Sequence, residues 1–309
     1  MKMLQLVSLI SFASILLDLC PALYAEKSGD AEKVILFSIG AGVASVKKTA
    51  KKERRPSAAE LDISKDRDFT ITSSMDGNEQ PVYLIVPDNP KKEKRPLLVG
   101  LHSWGGTYMQ KVGAYGPYGK AHGMYVVCPH YRGPNYSLKA AGSKYAVQDI
   151  VDVVEYMKKH YPIDEKRIYI VGASGGGHMA LQMAAKHPEI WAAVSAWCAI
   201  TDIAKWHKQA PKYRGKIEAC FGGPPGTSAE MDEDYKYRSP IFTIAAAKNI
   251  PIQLVHGTED KVVPVSQADE IVAVMKEAGF KKLEYSRRAI GHTMNVSEMV
   301  DFVRQFKKE

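Results

Sequence analysis

The stretch Arg167-Ile168-Tyr169-Ile170-Val171-Gly172-Ala173-Ser174-Gly175-Gly176-Gly177 decides the fold. Its first five residues form a short, mostly apolar run rich in β-branched side chains, the composition of a buried strand. Glycines then crowd both sides of one serine, and from Gly177 onward the pattern is helical. A G-x-S-x-G unit between a strand and a helix puts the serine on a tight turn. The flanking glycines are needed there because a β-carbon would clash as the chain reverses. The hydroxyl is then held out above the sheet. The competing reading is a glycine-rich turn with an incidental serine, and the rest of the chain must choose between them.

A serine hydroxyl is a weak nucleophile at neutral pH. It needs a histidine base, and an acid that fixes the imidazole tautomer and stabilises its charged form. After the apolar run 251–255 comes His256-Gly257-Thr258-Glu259-Asp260, which places Asp260 in a loop at a strand end. Farther on, Gly291-His292-Thr293 lies between the last strand-like run and the last helical one. Ser174, Asp260 and His292 are therefore the candidate catalytic residues. Glu259 and Asp202 are rival acids, and Asp202 is the stronger rival because it too follows a strand. Most other histidines, among them His160, His178 and His187 on the neighbouring helices, read as surface residues.

Acyl transfer also needs preorganised N–H donors for the oxyanion. After the strand-like run 97–101 stands His102-Ser103-Trp104-Gly105-Gly106, a counterpart of the His-Gly-Gly-Gly loop that supplies one such donor. The expected donors are the backbone N–H groups of Trp104 and Gly175. Ser103 replaces a usual glycine, so either its N–H or that of Trp104 faces the substrate. His102 reads as structural.

Outward from the elbow, short apolar strands alternate with helical patterns. Runs 69–72 and 82–86 flank Met75-Asp76-Gly77-Asn78 as a β-hairpin. Strands are expected at 97–101, 125–127, 167–171, 192–196, 252–255 and 283–285. Helices are expected at 147–161, from 176, at 268–277 and at 296–306. Val147, Ile150, Val151, Val154 and Met157 mark one apolar face of the first helix. Such alternation argues for a mostly parallel α/β sheet with helices on both faces. Residues 204–237 are too many for a simple connection and are expected to form a cap or cleft wall. Trp206, Tyr213, Phe221, Tyr235 and Tyr237 lie in it, available to stack on an aryl or sugar group. Tyr131 and Arg132 are further candidates for lining the cleft.

With 45% apolar and 25% charged residues, the 309-residue chain excludes fibrous, collagen-like and wholly disordered classes. Its net charge of +8 raises nucleic acid or an anionic surface as a partner. However, Lys47, Lys48, Lys51, Lys52, Arg54 and Arg55, opposed only by Glu53, supply most of that excess in one polar stretch. That pattern reads as a solvated linker, so no nucleic-acid partner is expected.

Residues 1–25 read as a secretory signal cleaved after Ala25, with Lys2 ahead of an apolar stretch too short for a stable membrane span. Leu19 before Cys20 argues against lipidation. The expected organisation is a signal at 1–25, an extension with a basic linker at 26–66 and a catalytic domain at 67–309, with a secreted or periplasmic address. A second apolar run at 34–45 is also too short to span. Of the remaining cysteines, Cys128 reads as a buried thiol, while Cys198 and Cys220 are the candidates for a disulfide in an oxidising compartment.

The segment from Phe69 to Phe306 resembles the α/β-hydrolase superfamily, most closely the catalytic domain of prolyl oligopeptidase-like serine hydrolases. The likeness is carried by Asp149-Ile150-Val151-Asp152-Val153-Val154-Glu155-Tyr156, Ile163-Asp164-Glu165-Lys166-Arg167-Ile168, the Ser174 elbow, and Ser239-Pro240 leading to His256-Gly257 through Val263-Pro264. The order Ser174, Asp260, His292 is that of this superfamily. The resemblance implies Ser174 as nucleophile, Asp260 as acid and His292 as base. It covers the catalytic domain without the β-propeller of true prolyl oligopeptidases. Gly176 follows Gly175 where those peptidases often have Tyr-Gly-Gly.

Both departures favour an esterase over an oligopeptidase, and secreted single-domain members with this layout resemble acetyl, feruloyl or related polysaccharide-ester hydrolases, which implies a small-molecule or polysaccharide-linked ester as substrate. The alternatives are a peptidase acting on short peptides and a non-catalytic binding module on the same scaffold. No metal or organic cofactor is expected, since neither a metal-ligand cluster nor a G-x-G-x-x-G unit occurs.

Overall fold

The computed structural model describes residues 65–90 and 93–309; the signal expected at 1–25, the run 34–45 and the basic stretch 47–55 lie outside these residues. Two strands, β1 (Arg67–Thr72) and β2 (Glu79–Ile85), pair antiparallel with Thr72 opposite Glu79. The turn between them contains Gly77 at φ +74°, in backbone that favours glycine. This is the expected hairpin. Six more strands follow: β3 (Arg95–Leu101), β4 (Tyr125–Pro129), β5 (Ile163–Ala173), β6 (Ala193–Trp197), β7 (Ile252–Gly257) and β8 (Leu283–Arg288).

One sheet results, in the order β1-β2-β4-β3-β5-β6-β7-β8. β2 joins β4 antiparallel, and every later pairing is parallel. The C-terminal ends of β3 to β8 therefore point one way, and the loops that leave them share one edge. In open α/β sheets that edge is where ligands bind.

Helices cover both faces. On one face α2 (Lys144–His160), α3 (Gly175–Lys186) and α7 (Ser266–Glu277) pack Ile150, Met183 and Ile271 against Val99, Ile170 and Leu254. On the other, α1 (Val112–Ala121) and α8 (Val296–Val303) pack Tyr115, Met299 and Val303 against Leu98, Val126 and Val171. The Ser143 hydroxyl caps α2 by accepting from the Ala146 N–H.

Two differences from the sequence reading concern these helices. Nothing in Val112-Gly113-Ala114-Tyr115-Gly116-Pro117-Tyr118-Gly119 announces α1, because glycine and proline are the weakest helix formers. Packing overrides propensity there: a β-carbon at Gly119 would lie 2.0 Å from Val126 Cγ2, so glycine is what lets α1 approach β4. In addition, α8 stops at Val303 instead of running on to Phe306.

Residues 204–237 form three short helices, α4 (Ile203–Gln209), α5 (Arg214–Phe221) and α6 (Ala229–Tyr237). Ile203, Trp206, Ile217, Phe221 and Tyr235 share a small core with Trp104 and Val263, so this cap is seated on the loops after β3 and β7. The disulfide expectation fails. Cys198 ends β6 within the sheet core, Cys220 lies in the cap core, and both are free thiols, as is buried Cys128. Burial pushes the thiols of Cys128 and Cys220 up to about 12, which keeps both protonated.

Candidate active site

The chain reverses between β5 and α3 at Ser174, which takes φ +58° and ψ −123°. Left-handed φ is costly for a residue with a β-carbon, and such strain persists only where the surroundings enforce it. Here they do. A β-carbon at Gly172 would fall 2.2 Å from the Gly176 carbonyl oxygen, and one at Gly175 would fall 2.3 Å from the Trp104 backbone nitrogen. The Ser174 N–H donates to the Trp197 carbonyl at 2.9 Å, tying the turn to the end of β6.

His292 and Asp260 come from the loops after β8 and β7, and the parallel pairing of those strands brings them together. His292 Nδ1 lies 2.7 Å from Asp260 Oδ2. The other carboxylate oxygen, Oδ1, accepts the N–H groups of Val262 and Val263 at 2.8 and 2.9 Å. Burial opposes ionisation of Asp260. Hydrogen bonding to His256, His292 and the Val263 and Val262 amides outweighs it and holds the carboxyl well below the usual carboxylate range. For His292, burial works against the imidazolium, but the Asp260 carboxylate and the Cys198 side chain overcome it and push the ring up.

The rival acids are occupied elsewhere or point outward. Asp202 caps α4, accepting from the Lys205 N–H at 2.9 Å, and Glu259 is exposed. The Ser174 hydroxyl makes no hydrogen bond among the described residues. Such contacts are commonly loose until substrate is bound. Near the elbow, Cys198, next to the Trp197 whose carbonyl accepts the Ser174 N–H, directs Sγ to the Thr293 carbonyl at 3.5 Å, in the residue after His292.

Backbone donors converge at the same place. The Ser103 N–H is consumed by Gln110 Oε1 at 2.7 Å, whereas the Trp104 N–H has no acceptor among the described residues. Gly175, the first residue of α3, contributes one of the N–H groups a helix leaves unpaired. Of the two N–H groups left open by the sequence, then, the one at Trp104 is free and lies against Gly175. Gln110 has no sequence signature; only the folded loop places it under Ser103. The ring nitrogens of His102 face the carbonyls of Ser103 and His130 at 2.8 Å, a structural position.

Other residues fall differently from expectation. Tyr131 is buried, stacks on His102 at 4.0 Å and donates its hydroxyl to the His102 carbonyl, so it supports the loop from beneath. Arg132 is buried too: its guanidinium binds both oxygens of Asp149 and both of Asp76. His178 is enclosed instead of at the surface, with Nε2 at 2.7 Å from the Arg238 carbonyl. The side chains that come closest to a metal-ligand group among the described residues are Cys198, Asp260 and His292, whose ligand atoms lie within 4.8 Å of one another. All three are already engaged in the hydrogen bonds just described.

Comparisons with known proteins bear on the family and the fold. The chain is 26% identical over 226 residues to feruloyl esterase B of Neurospora crassa, covering 68% of this chain and 73% of that one. It is 24% identical over 149 residues to the uncharacterized peptidase YtmA of Bacillus subtilis, covering 47% of this chain and 56% of the relative. Among solved structures, the acylaminoacyl peptidase of Pyrococcus horikoshii superposes with a TM-score of 0.61 at 21% identity, over 79% of this chain and 42% of that one. The chain thus spans little more than half of the Bacillus relative and less than half of the archaeal peptidase. Likeness at that identity shows a common fold, that of the α/β-hydrolases. Residues 117–303, from α1 through α8, match the prolyl oligopeptidase family, and with its elbow on the fifth strand of such a sheet the chain belongs to that family of serine hydrolases.

Proposed function

We propose that the protein is a secreted serine hydrolase that cleaves a carboxylic ester, acetyl, feruloyl or similar, through an acyl-enzyme. The observation that carries this reading is the 2.7 Å contact between His292 and the buried Asp260 at the sheet edge where Ser174 occupies its strained turn. His292 takes the proton of Ser174 Oγ on Nε2 as that oxygen attacks the ester carbonyl. Asp260 keeps the other proton on Nδ1 and offsets the charge of the imidazolium. The N–H groups of Trp104 and Gly175 receive the oxyanion. On collapse the C–O bond breaks, His292 returns its proton to the departing alcohol, and the acyl group stays on Ser174. Water, deprotonated by His292, then releases the acid and restores the serine.

An ester is favoured over an amide by the two-thirds coverage shared with a feruloyl esterase and by Gly176 after Gly175 at the elbow. A serine peptidase acting on short peptides is the second reading, supported by the family match and by the peptidases among the relatives. The secretory address rests on residues 1–25 as read from the sequence.

The experiment is kcat/KM on an aryl acetate and on a prolyl p-nitroanilide, with Ser174→Ala as blank. Ester turnover without amide turnover is expected. Efficient amide turnover makes the protein a compact peptidase. A folded protein whose Ser174 ignores a fluorophosphonate probe would be a binding module instead.

A further inference from the structure

The cap carries a run of positive charge that the proposed reaction does not use. Lys208, Lys212, Arg214 and Lys216 fall within nine residues containing no Asp or Glu, and all four are exposed. Among the described residues none of them pairs with a carboxylate; Arg214 donates only to the carbonyls of His207 and Lys208. Elsewhere on the cap the cations are paired: Lys205 with Glu270, Lys236 with Glu233 and, just past α6, Arg238 with Asp234. The uncompensated charge is therefore confined to one rim.

Lys216 links this segment to the loop that carries Trp104. Lys216 Nζ lies 5.0 Å from the Tyr136 ring and 5.7 Å from the Tyr213 ring. The Tyr136 hydroxyl rests on Gly105, where a β-carbon would lie 2.7 Å from it, one residue from the free N–H of Trp104. Tyr213 packs at 4.8 Å on Trp206, which packs at 5.0 Å on Trp104; both tryptophans are buried, so this stack anchors the segment to the loop from beneath. Exposed Tyr136, with Lys216 set over its ring, thus connects this segment to the loop that carries Trp104, and Lys208, Lys212 and Arg214 lie on the same short stretch of chain.

We infer that this rim is a subsite for an anionic glycan strand, so that the ester hydrolysed is one carried on an acidic polysaccharide of uronic acid or sulfated sugar units. The inference rests on the esterase reading above. A sugar ring offers its C–H face to an aromatic ring while its carboxylate or sulfate pairs with a lysine, and here the exposed Tyr136 ring carries the Lys216 ammonium over it. Nucleic acid has the charge but no carboxylic ester to present to Ser174.

Binding is measured first, on full-length Ser174→Ala protein, against polygalacturonate, neutral xylan and single-stranded DNA. Polygalacturonate is expected to bind tightest, with an affinity that falls as salt rises. Adding Lys208→Ala, Lys212→Ala and Lys216→Ala is expected to weaken that binding about tenfold and flatten its salt dependence, as rim charges do. In the active protein the same three changes lower the ratio of kcat/KM on acetylated polygalacturonate to kcat/KM on p-nitrophenyl acetate, chiefly through KM. Equal binding of xylan and polygalacturonate, tighter binding of DNA, or indifference to the three substitutions overturns the inference. Absence of aryl acetate turnover by the unmodified protein overturns the esterase reading, while the binding arm still judges the rim.

Discussion

At the residue scale, the proposed mechanism ties the working pH of the site to the buried Asp260. Its carboxylate raises the folded-state pKa of His292 above the ordinary 6.5, and as the proposed base the ring must be neutral to accept the Ser174 proton. The kcat/KM profile on an aryl acetate should therefore rise through an acid limb lying above the ordinary histidine value. Asp260→Asn removes the opposite charge and leaves the wrong tautomer favoured, so it should cost about 10⁴-fold in kcat and move the limb downward. A wild-type limb at or below 6.5 would show that another group limits the rate. Cys198, with its left-handed φ of +40°, belongs to the same scale: no spacing in the sequence links it to His292, yet the folded chain sets it beside that ring.

At the element scale, the hairpin, the loop after β4 and helix α2 are locked together by one guanidinium. Arg132 reaches Asp149 on α2 and Asp76 in the hairpin turn, and the Ser73 hydroxyl donates to Asp149 at 2.6 Å. Side-chain exposure is 6% at Arg132 and 1% at Asp149, so removing the cation strands a buried carboxylate. Arg132→Met should cost about 3–5 kcal/mol of stability, read from urea denaturation. A loss within the range of exposed salt bridges, below about 1 kcal/mol, would show that water replaces the guanidinium there. The element pattern was largely legible, because strands of Val, Leu and Ile and the heptad-like face of α2 follow from local periodicity. Helix α1 was not, since its stability lies in contact with β4 and not in its own residues.

At the scale of the whole molecule, enclosed histidines govern the response to acid. Burial lowers His102 and His178 from 6.5 to about 4, outweighing their carbonyl contacts, so the folded state binds fewer protons than the unfolded one between those values. Stability then rises with pH across that window and is progressively lost on acidification through it. His292 is displaced the other way: its contribution is fully present below 6.5 and is lost as pH rises through its higher folded value. Calorimetry should find Tm falling from pH 6.5 toward 4 and declining again as pH rises from 6.5 through the raised folded value of His292. A flat Tm across the acidic window would mean that these rings take up protons without unfolding.

The elbow, the strand and helix alternation and the order Ser174, Asp260, His292 were determined by sequence alone. They depend on short-range physics: glycine at places a β-carbon cannot occupy, and side-chain periodicity of two or 3.6 residues. Tertiary structure decided what depends on distances between loops far apart in the chain. Asp260 and not Asp202 faces His292, because β7 and β8 are parallel neighbours while Asp202 turns away to cap α4. Gln110 occupies the Ser103 N–H and leaves that of Trp104 open. Cys198 and Cys220 remain apart because the sheet and the cap bury them in separate cores.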